Sequence, residues 1–217
     1  DDHHAVEPQL LHRRVERTAQ VAGGIAAGER EVDRADVVVI LIDAVEGVTE
    51  QDAKIAGIAH DRGKGIVIAV NKWDAVEKDD KTIYKYTQEV RQVLSYMPYA
   101  EILFISAQTG QRVSRLFETI DMVLANQSMR VATGVLNEIM AEAVALQQPP
   151  TDKGKRLRLF YITQVAVKPP TFVIFVNDKA LMHFSYTRYL ENKIRDTFGF
   201  KGTSLKFIIR ERKDGEN

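Results

Sequence analysis

Residues 65–74, GIVIAVNKWD, constrain what this 217-residue chain can fold into more than any other stretch. Gly65 to Val70 are small or apolar and rich in β-branched side chains. A short run of this kind, bounded by glycine and polar residues, predicts a strand buried on both faces of a parallel sheet. Asn71, Lys72 and Asp74 follow at once. Polar groups at the carboxyl end of such a strand stand where open α/β sheets bind ligands.

Glu101 to Ser106 (EILFIS) predicts a second buried strand, again ending in a polar set, Ser106-Ala107-Gln108-Thr109-Gly110. The order Asn-Lys-x-Asp resembles the guanine-reading motif of GTPases, and the chemistry of the base explains its residue types. Guanine presents two donors side by side, and a carboxylate can accept both, which makes Asp74 the base selector. Asn71 can hydrogen-bond the opposite edge of the base and tie neighbouring loops together. Lys72 can lay its methylene stem along the face of the base. Adenine has an acceptor where guanine has a donor, so the carboxylate would face a lone pair.

The flanking chain supports a sheet. Val37 to Ile42 (VVVILI) predicts another buried strand, and Asp43 to Gly47 a turn in which Asp43 is a turn residue rather than a metal ligand. Thr49 is placed to N-cap the next helix, with Asp52 in capping-box position and Gly63 at its end. Helices over 81–95 and 113–126 complete an alternation of strand and helix, the pattern of a parallel sheet with covering helices.

Beyond Ser128 the organisation changes. Thr133 is expected to cap a helix running to Leu146 before Pro149-Pro150. Strands over 157–165 and 171–176 form a hairpin through Lys168-Pro169-Pro170. Residues 178–183 predict a short helix, and Ser185 is expected to cap a longer one to Phe198. A strand over 203–212 closes the chain with Leu205, Phe207 and Ile209 inward. The order is α-β-β-α-α-β.

There is no cysteine, which excludes disulfides and thiolate metal sites. No apolar run approaches a membrane span and no signal-peptide pattern opens the sequence, so a cytoplasmic protein without a membrane partner is expected. The formal charge is zero, but residues 151–217 hold 14 Lys+Arg against 7 Asp+Glu, giving +7, and residues 1–150 hold 16 against 23, giving −7. A basic segment of this size suits a polyanion such as RNA. Its candidate contacts are Lys153, Lys155, Arg156, Arg158, Lys206, Arg210 and Arg212.

From Asp36 to Lys213 the chain resembles the Der (EngA) family of bacterial GTPases. The stretches that carry the resemblance include Glu46-Gly47-Val48-Thr49-Glu50-Gln51-Asp52, Asn71-Lys72-Trp73-Asp74, Lys168-Pro169-Pro170-Thr171-Phe172-Val173, Phe175-Val176-Asn177-Asp178 and Tyr189-Leu190-Glu191-Asn192. The resemblance implies a partial P-loop GTPase-type sheet over 35–128, the back half of the family's second GTPase domain. A small α+β KH-like domain over 131–213 would follow it. It further implies a role in assembly of the large ribosomal subunit, with GTP or GDP as ligand and the subunit or its rRNA, not DNA, as partner. Asn71, Lys72 and Asp74 would read guanine, with Ser106 in support and the Ala107 N–H meeting the guanine carbonyl.

The sequence also departs from that pattern. A phosphate loop ending in Gly-Lys-Ser/Thr and an Asp-x-x-Gly switch are absent, and no Mg²⁺ ligand is identified. The chain alone is therefore not expected to hydrolyse GTP. The alternative is a nucleotide-independent RNA- or ribosome-docking module with the GTPase remnant as scaffold. The expected two-helix link, Met182 to Tyr186, has no Gly-x-x-Gly clamp, while Gly199-Phe200-Lys201-Gly202 is placed to terminate a helix. Residues 1–34, rich in Arg, Ala, Gly and His, read as an irregular segment with the bias of a wrong reading frame. His3 and His4 lack further ligands at metal spacing.

Overall fold

The computed structural model describes residues 30–152 and 154–212. The chain divides into two compact units between Ile120 and Asp121. Residues 1–29, with His3 and His4, lie outside the described residues, as do Lys153 and Lys213.

In the first unit, β1 (Val37–Asp43), β2 (Gly65–Asn71) and β3 (Glu101–Phe104) form one sheet in the order β1-β2-β3. Both pairings are parallel. β2 is central, and its first six residues are all buried, as the unbroken apolar run requires. Helix α1 (Glu50–Asp61) starts with the expected capping box: Thr49 Oγ1 accepts from the Asp52 N–H at 3.2 Å, and Asp52 Oδ2 accepts from the Thr49 N–H at 3.0 Å. Its fully buried Ala56 and Ala59 let the helix approach the sheet closely. Helix α2 (Thr82–Val93) follows β2, and α3 (Val113–Ser128) follows β3, its residues from Asp121 on belonging to the second unit.

Order begins earlier than Asp36. Residues 30–34 are helical, and Val32 is buried in the same core as Ile40, Ile66 and Trp73. Asp33 adds an ion pair to Arg62 at 3.1 Å and a carbonyl bond from Lys64 Nζ at 2.9 Å. The end of the segment read as irregular is thus part of this unit.

Asp79 organises the start of α2. Its Oδ1 accepts from the Thr82 hydroxyl at 2.7 Å and the Lys81 N–H at 2.9 Å, while Thr82 Oγ1 accepts from the Asp79 N–H at 2.7 Å. The Thr82 bond, then the Lys81 N–H, pull the carboxyl from 3.8 down to about 2. A folded-state value below the unfolded one contributes stability that is full above the unfolded value and lost as pH falls through the folded one. Asp79→Asn is expected to flatten the acid limb of stability between about pH 4 and pH 2, read by urea titrations at stepped pH. An unchanged acid limb would remove Asp79 as its source.

The second unit holds α4 (Thr133–Leu146), a short hairpin β4 (Thr151–Asp152) and β5 (Lys155–Arg156), then β6 (Leu159–Ala166), β7 (Thr171–Val176), α5 (Phe184–Phe198) and β8 (Lys206–Glu211). β6 and β7 are antiparallel, β7 and β8 parallel, in the order β6-β7-β8. The helices pack Leu136, Met140, Ala143, Leu190 and Ile194 onto Ile162, Phe172, Ile174 and Val176. Leu205, Phe207 and Ile209 join that core, as the alternation in the last strand requires.

Two expected caps are not caps. α4 begins at Thr133 itself, with Ala132 in the cap position, and the Thr133 hydroxyl lies 3.1 Å from that of Thr163. α5 begins at Phe184, one residue before Ser185, with His183 in the cap position and no side-chain cap bond. Residues 178–183 contain only a 3-10 turn, Lys179–Leu181, held by Asp178 Oδ1 accepting from the Ala180 N–H at 2.9 Å. The element order is therefore α-β-β-α-β with a short extra hairpin.

Gly199 terminates α5 at φ 87°, the conformation that glycine tolerates best. Arg195 fastens the turn beyond it, its Nη1 donating to the carbonyls of Phe200 and Thr203 at 3.0 and 3.1 Å. Gly202, at φ 75°, faces Val123 so closely that a Cβ would collide with that side chain.

Candidate functional site

The carboxyl ends of β1, β2 and β3 build the site. Parallel register sets Asp43 beside Asn71. The loop after β3 is drawn in by backbone bonds, the Ile105 N–H to the Val70 carbonyl at 2.8 Å and the Trp73 N–H to the Ile105 carbonyl at 3.1 Å. Asn71 Oδ1 accepts from the Ala107 N–H at 2.9 Å, tying the two loops together.

Asp74 is exposed, but its carboxylate is oriented. The buried Ser106 hydroxyl is the chief cause, followed by the Asp74 backbone N–H, that holds its carboxyl below the ordinary range. Ser106 Oγ is itself fixed by the Thr109 N–H at 3.1 Å. An exposed carboxylate held ionised offers the acceptor pair that two adjacent donors require.

Lys72 takes a left-handed backbone at φ 59°, and its ammonium lies 2.5 Å from Asp43 Oδ2. Asp43 Oδ1 accepts from the Val45 N–H at 2.8 Å, the turn role expected of it. The Lys72 bond is the chief cause lowering the Asp43 carboxyl, and Asp43 is the chief cause raising Lys72. Sequence reasoning missed Asp43 as the anchor of Lys72. Its signal is position, since Asp43 ends the strand beside the one that Asn71 ends.

Beneath the loop, Trp73 is 1% exposed. Its ring meets Phe104 at 4.4 Å and, edge to face, Tyr86 at 5.1 Å between centroids. The Tyr86 hydroxyl donates to the Ala44 carbonyl at 2.9 Å, which fastens α2 to the end of β1.

Asn71, Lys72, Asp74, Ser106 and Ala107 thus form one cluster. One detail differs from the resemblance. The Ala107 N–H, expected to meet a guanine carbonyl, is donated to Asn71, so a base would have to share or replace that bond. Among the described residues no group of three or more His, Asp or Glu side chains could hold a metal ion. Asp43, the nearest strand-end carboxylate, is engaged by Lys72. These residues do not fit Mg²⁺.

The basic candidates fall in two places. Arg156, Arg158, Arg210 and Arg212 gather at the carboxyl end of β7: Asn177 donates to the Arg156 carbonyl and accepts from the Arg158 N–H, and the Arg212 N–H bonds the Val176 carbonyl. Lys155 neighbours them on β5. Lys206 lies at the other end of β8, opposite Thr171. No helix among the described residues is long and apolar enough to cross a membrane.

Residues 130–210 match the KH-domain-like family of EngA bacterial GTPase enzymes, C-terminal. Residues 26–126 match the elongation factor Tu GTP binding domain family. The GTPase Der of Lachnoclostridium phytofermentans is 76% identical over 185 residues, covering 85% of this chain and 42% of that protein. The GTPase Der of Agathobacter rectalis is 75% identical with the same coverage, and that of Lachnospira eligens 65%. A solved structure of Era in complex with MgGDPNP and 16S ribosomal RNA nucleotides aligns over 86% of this chain and 68% of its own, at 17% identity and a TM-score of 0.39. The chain spans less than half the length of the curated relatives it matches. With its C-terminal EngA-type domain and this identity to Der proteins, the chain belongs to the Der (EngA) family of GTPases.

Proposed function

We propose that this chain supplies the guanine-reading end of a GTP-binding protein that acts in assembly of the large ribosomal subunit in the cytoplasm. An incomplete GTPase-type domain over 35–128 takes the base, and a KH-like domain over 131–213 docks on rRNA. The observations that support guanine most are the bond from the Ala107 N–H to Asn71 and the Ser106 hydroxyl beside Asp74 that keeps its carboxyl below the ordinary range. They join two strand-end loops into one site with an exposed carboxylate.

Calorimetry of GDP against ADP on this chain tests the base. Base contacts alone are expected to give GDP an affinity of about millimolar, near −4 kcal/mol, with ADP weaker. Equal binding of the two nucleotides would refute guanine selection. Micromolar GDP affinity would assign phosphate contacts to residues outside those described.

The docking reading rests on the +7 charge of residues 151–217. RNA affinity is expected to fall steeply and log-linearly with salt, because the gain is counterion release. Arg210→Gln, on the exposed side of β8, is expected to reduce the slope of log affinity against log salt by about one. Fluorescence anisotropy at stepped salt reads it. A salt-independent interaction would leave protein contacts as the better account.

A further inference from the structure

Phe184 is 78% exposed, the highest figure for a large hydrophobic side chain among the described residues. It opens α5 at the place where that helix meets the end of α4. The Tyr186 hydroxyl donates to the Gln147 carbonyl at 3.0 Å and the Tyr189 hydroxyl to the Ala143 carbonyl at 2.8 Å. Those two bonds lock the helix ends into one surface. Leu146, at the end of α4, is also exposed.

The rim of that surface is cationic. Arg188 lies four residues beyond Phe184, on the same face of α5, and is exposed. Arg156 is exposed, and its charge acts on the Tyr186 phenol. Lys179 is exposed on the turn that leads into α5. None of these three makes an ion pair with a described residue. Three acids near them are engaged within the protein. Asp178 caps the Ala180 N–H, Glu211 Oε1 accepts from the Lys179 N–H at 3.0 Å, and Glu191 Oε1 holds Arg195 Nη2 at 2.8 Å.

We propose that Phe184 is a stacking platform for an unpaired base of single-stranded RNA, with Arg188 and Arg156 holding the flanking phosphates. The inference rests on the docking reading above and adds a contact that charge alone does not supply. A base stacked on the ring covers apolar surface that now faces water, and every base offers such a face. The cations favour RNA, because its phosphates supply the countercharge that no described residue gives them. This aromatic stands at a helix start among arginines and lysine.

The test uses the whole chain and a fluorescein-labelled ten-nucleotide oligoadenylate, single-stranded or annealed to its complement, read by anisotropy at low salt. Phe184→Ala is expected to weaken single-strand binding roughly 5- to 100-fold. It should leave the salt slope unchanged, since no phosphate contact is lost. Phe184→Trp should retain binding, and Arg188→Gln should lower the slope by about one. Binding by Phe184→Ala equal to that of the unmodified chain would overturn the platform. So would a Trp variant as weak as the Ala variant, or the same dependence on Phe184 with duplex. Salt-sensitive binding that ignores Phe184 would overturn the platform and leave the docking reading standing. No binding by the unmodified chain at low salt would overturn both. The side chain is exposed, so an unchanged circular dichroism spectrum is expected for each variant.

Discussion

Trp73→Ala is expected to destabilise the chain by about 3–5 kcal/mol, the usual loss when a fully buried aromatic is cut to alanine. The indole fills the space between β3, α2 and the loop that carries Asn71 and Asp74, against Phe104 and Tyr86. Typical domains hold only about 5–15 kcal/mol in total, so such a loss is a large fraction of the whole. Trp73→Phe keeps most of the contact and should lose less. Urea unfolding followed by circular dichroism measures both variants, since Trp73 is the chain's single tryptophan and its emission disappears with it. A loss below about 1 kcal/mol would mean the cavity collapses and that Trp73 does not support the loop.

Asp74→Asn is expected to reverse base preference. The new amide can keep its oxygen toward the Ser106 hydroxyl, which leaves its NH₂ aimed where guanine presents donors. Guanine nucleotides should weaken roughly 10- to 100-fold, the cost of two lost charge-assisted bonds and two opposed donors. Xanthine nucleotides, which offer an acceptor at that edge, should become the better ligands. Competition between GDP and XDP, followed by amide shifts of Asn71 and Ala107, reads the outcome. An unchanged preference for guanine would place the base elsewhere. Ser106→Ala should act more weakly in the same direction, since it removes the hydroxyl that aims the carboxylate without removing the carboxylate.

What could be read from the chain followed the range of the interaction. The Thr49–Asp52 capping box spans three residues, and the sequence alone specifies it. The central strand was legible because burial on both faces leaves no polar residue in Gly65 to Val70. Thr133 was misread because its hydroxyl meets that of Thr163, thirty residues away on β6, where no local pattern reports it. Ser185 was misread because α5 already begins at Phe184, an exposed aromatic that periodicity does not mark as a helix start. Val32 was lost in a stretch without visible periodicity, yet it joins the sheet's core. At the candidate site, the motif letters point to Asn71, Lys72 and Asp74, which the fold places at one strand end. The partner that holds Lys72 depended on strand register, which a single sequence does not display.

That register has a consequence for how the protein comes to bind anything. Side chains alternate between the two faces of a strand, so slipping β1 or β2 by one residue would turn Asn71 or Asp43 to the opposite face. A slip of β2 would break the Asn71–Ala107 and Lys72–Asp43 contacts together, and a slip of β1 the second alone. A bound base would stabilise only the one alignment that joins all three strand ends, and by mass action it would draw mispaired chains toward it. Parallel strands can meet only after the helices between them have been traversed, a non-local step that is intrinsically slow. Appearance of base binding during refolding should therefore lag the helical signal, a timer for completion of the sheet rather than for collapse of the chain.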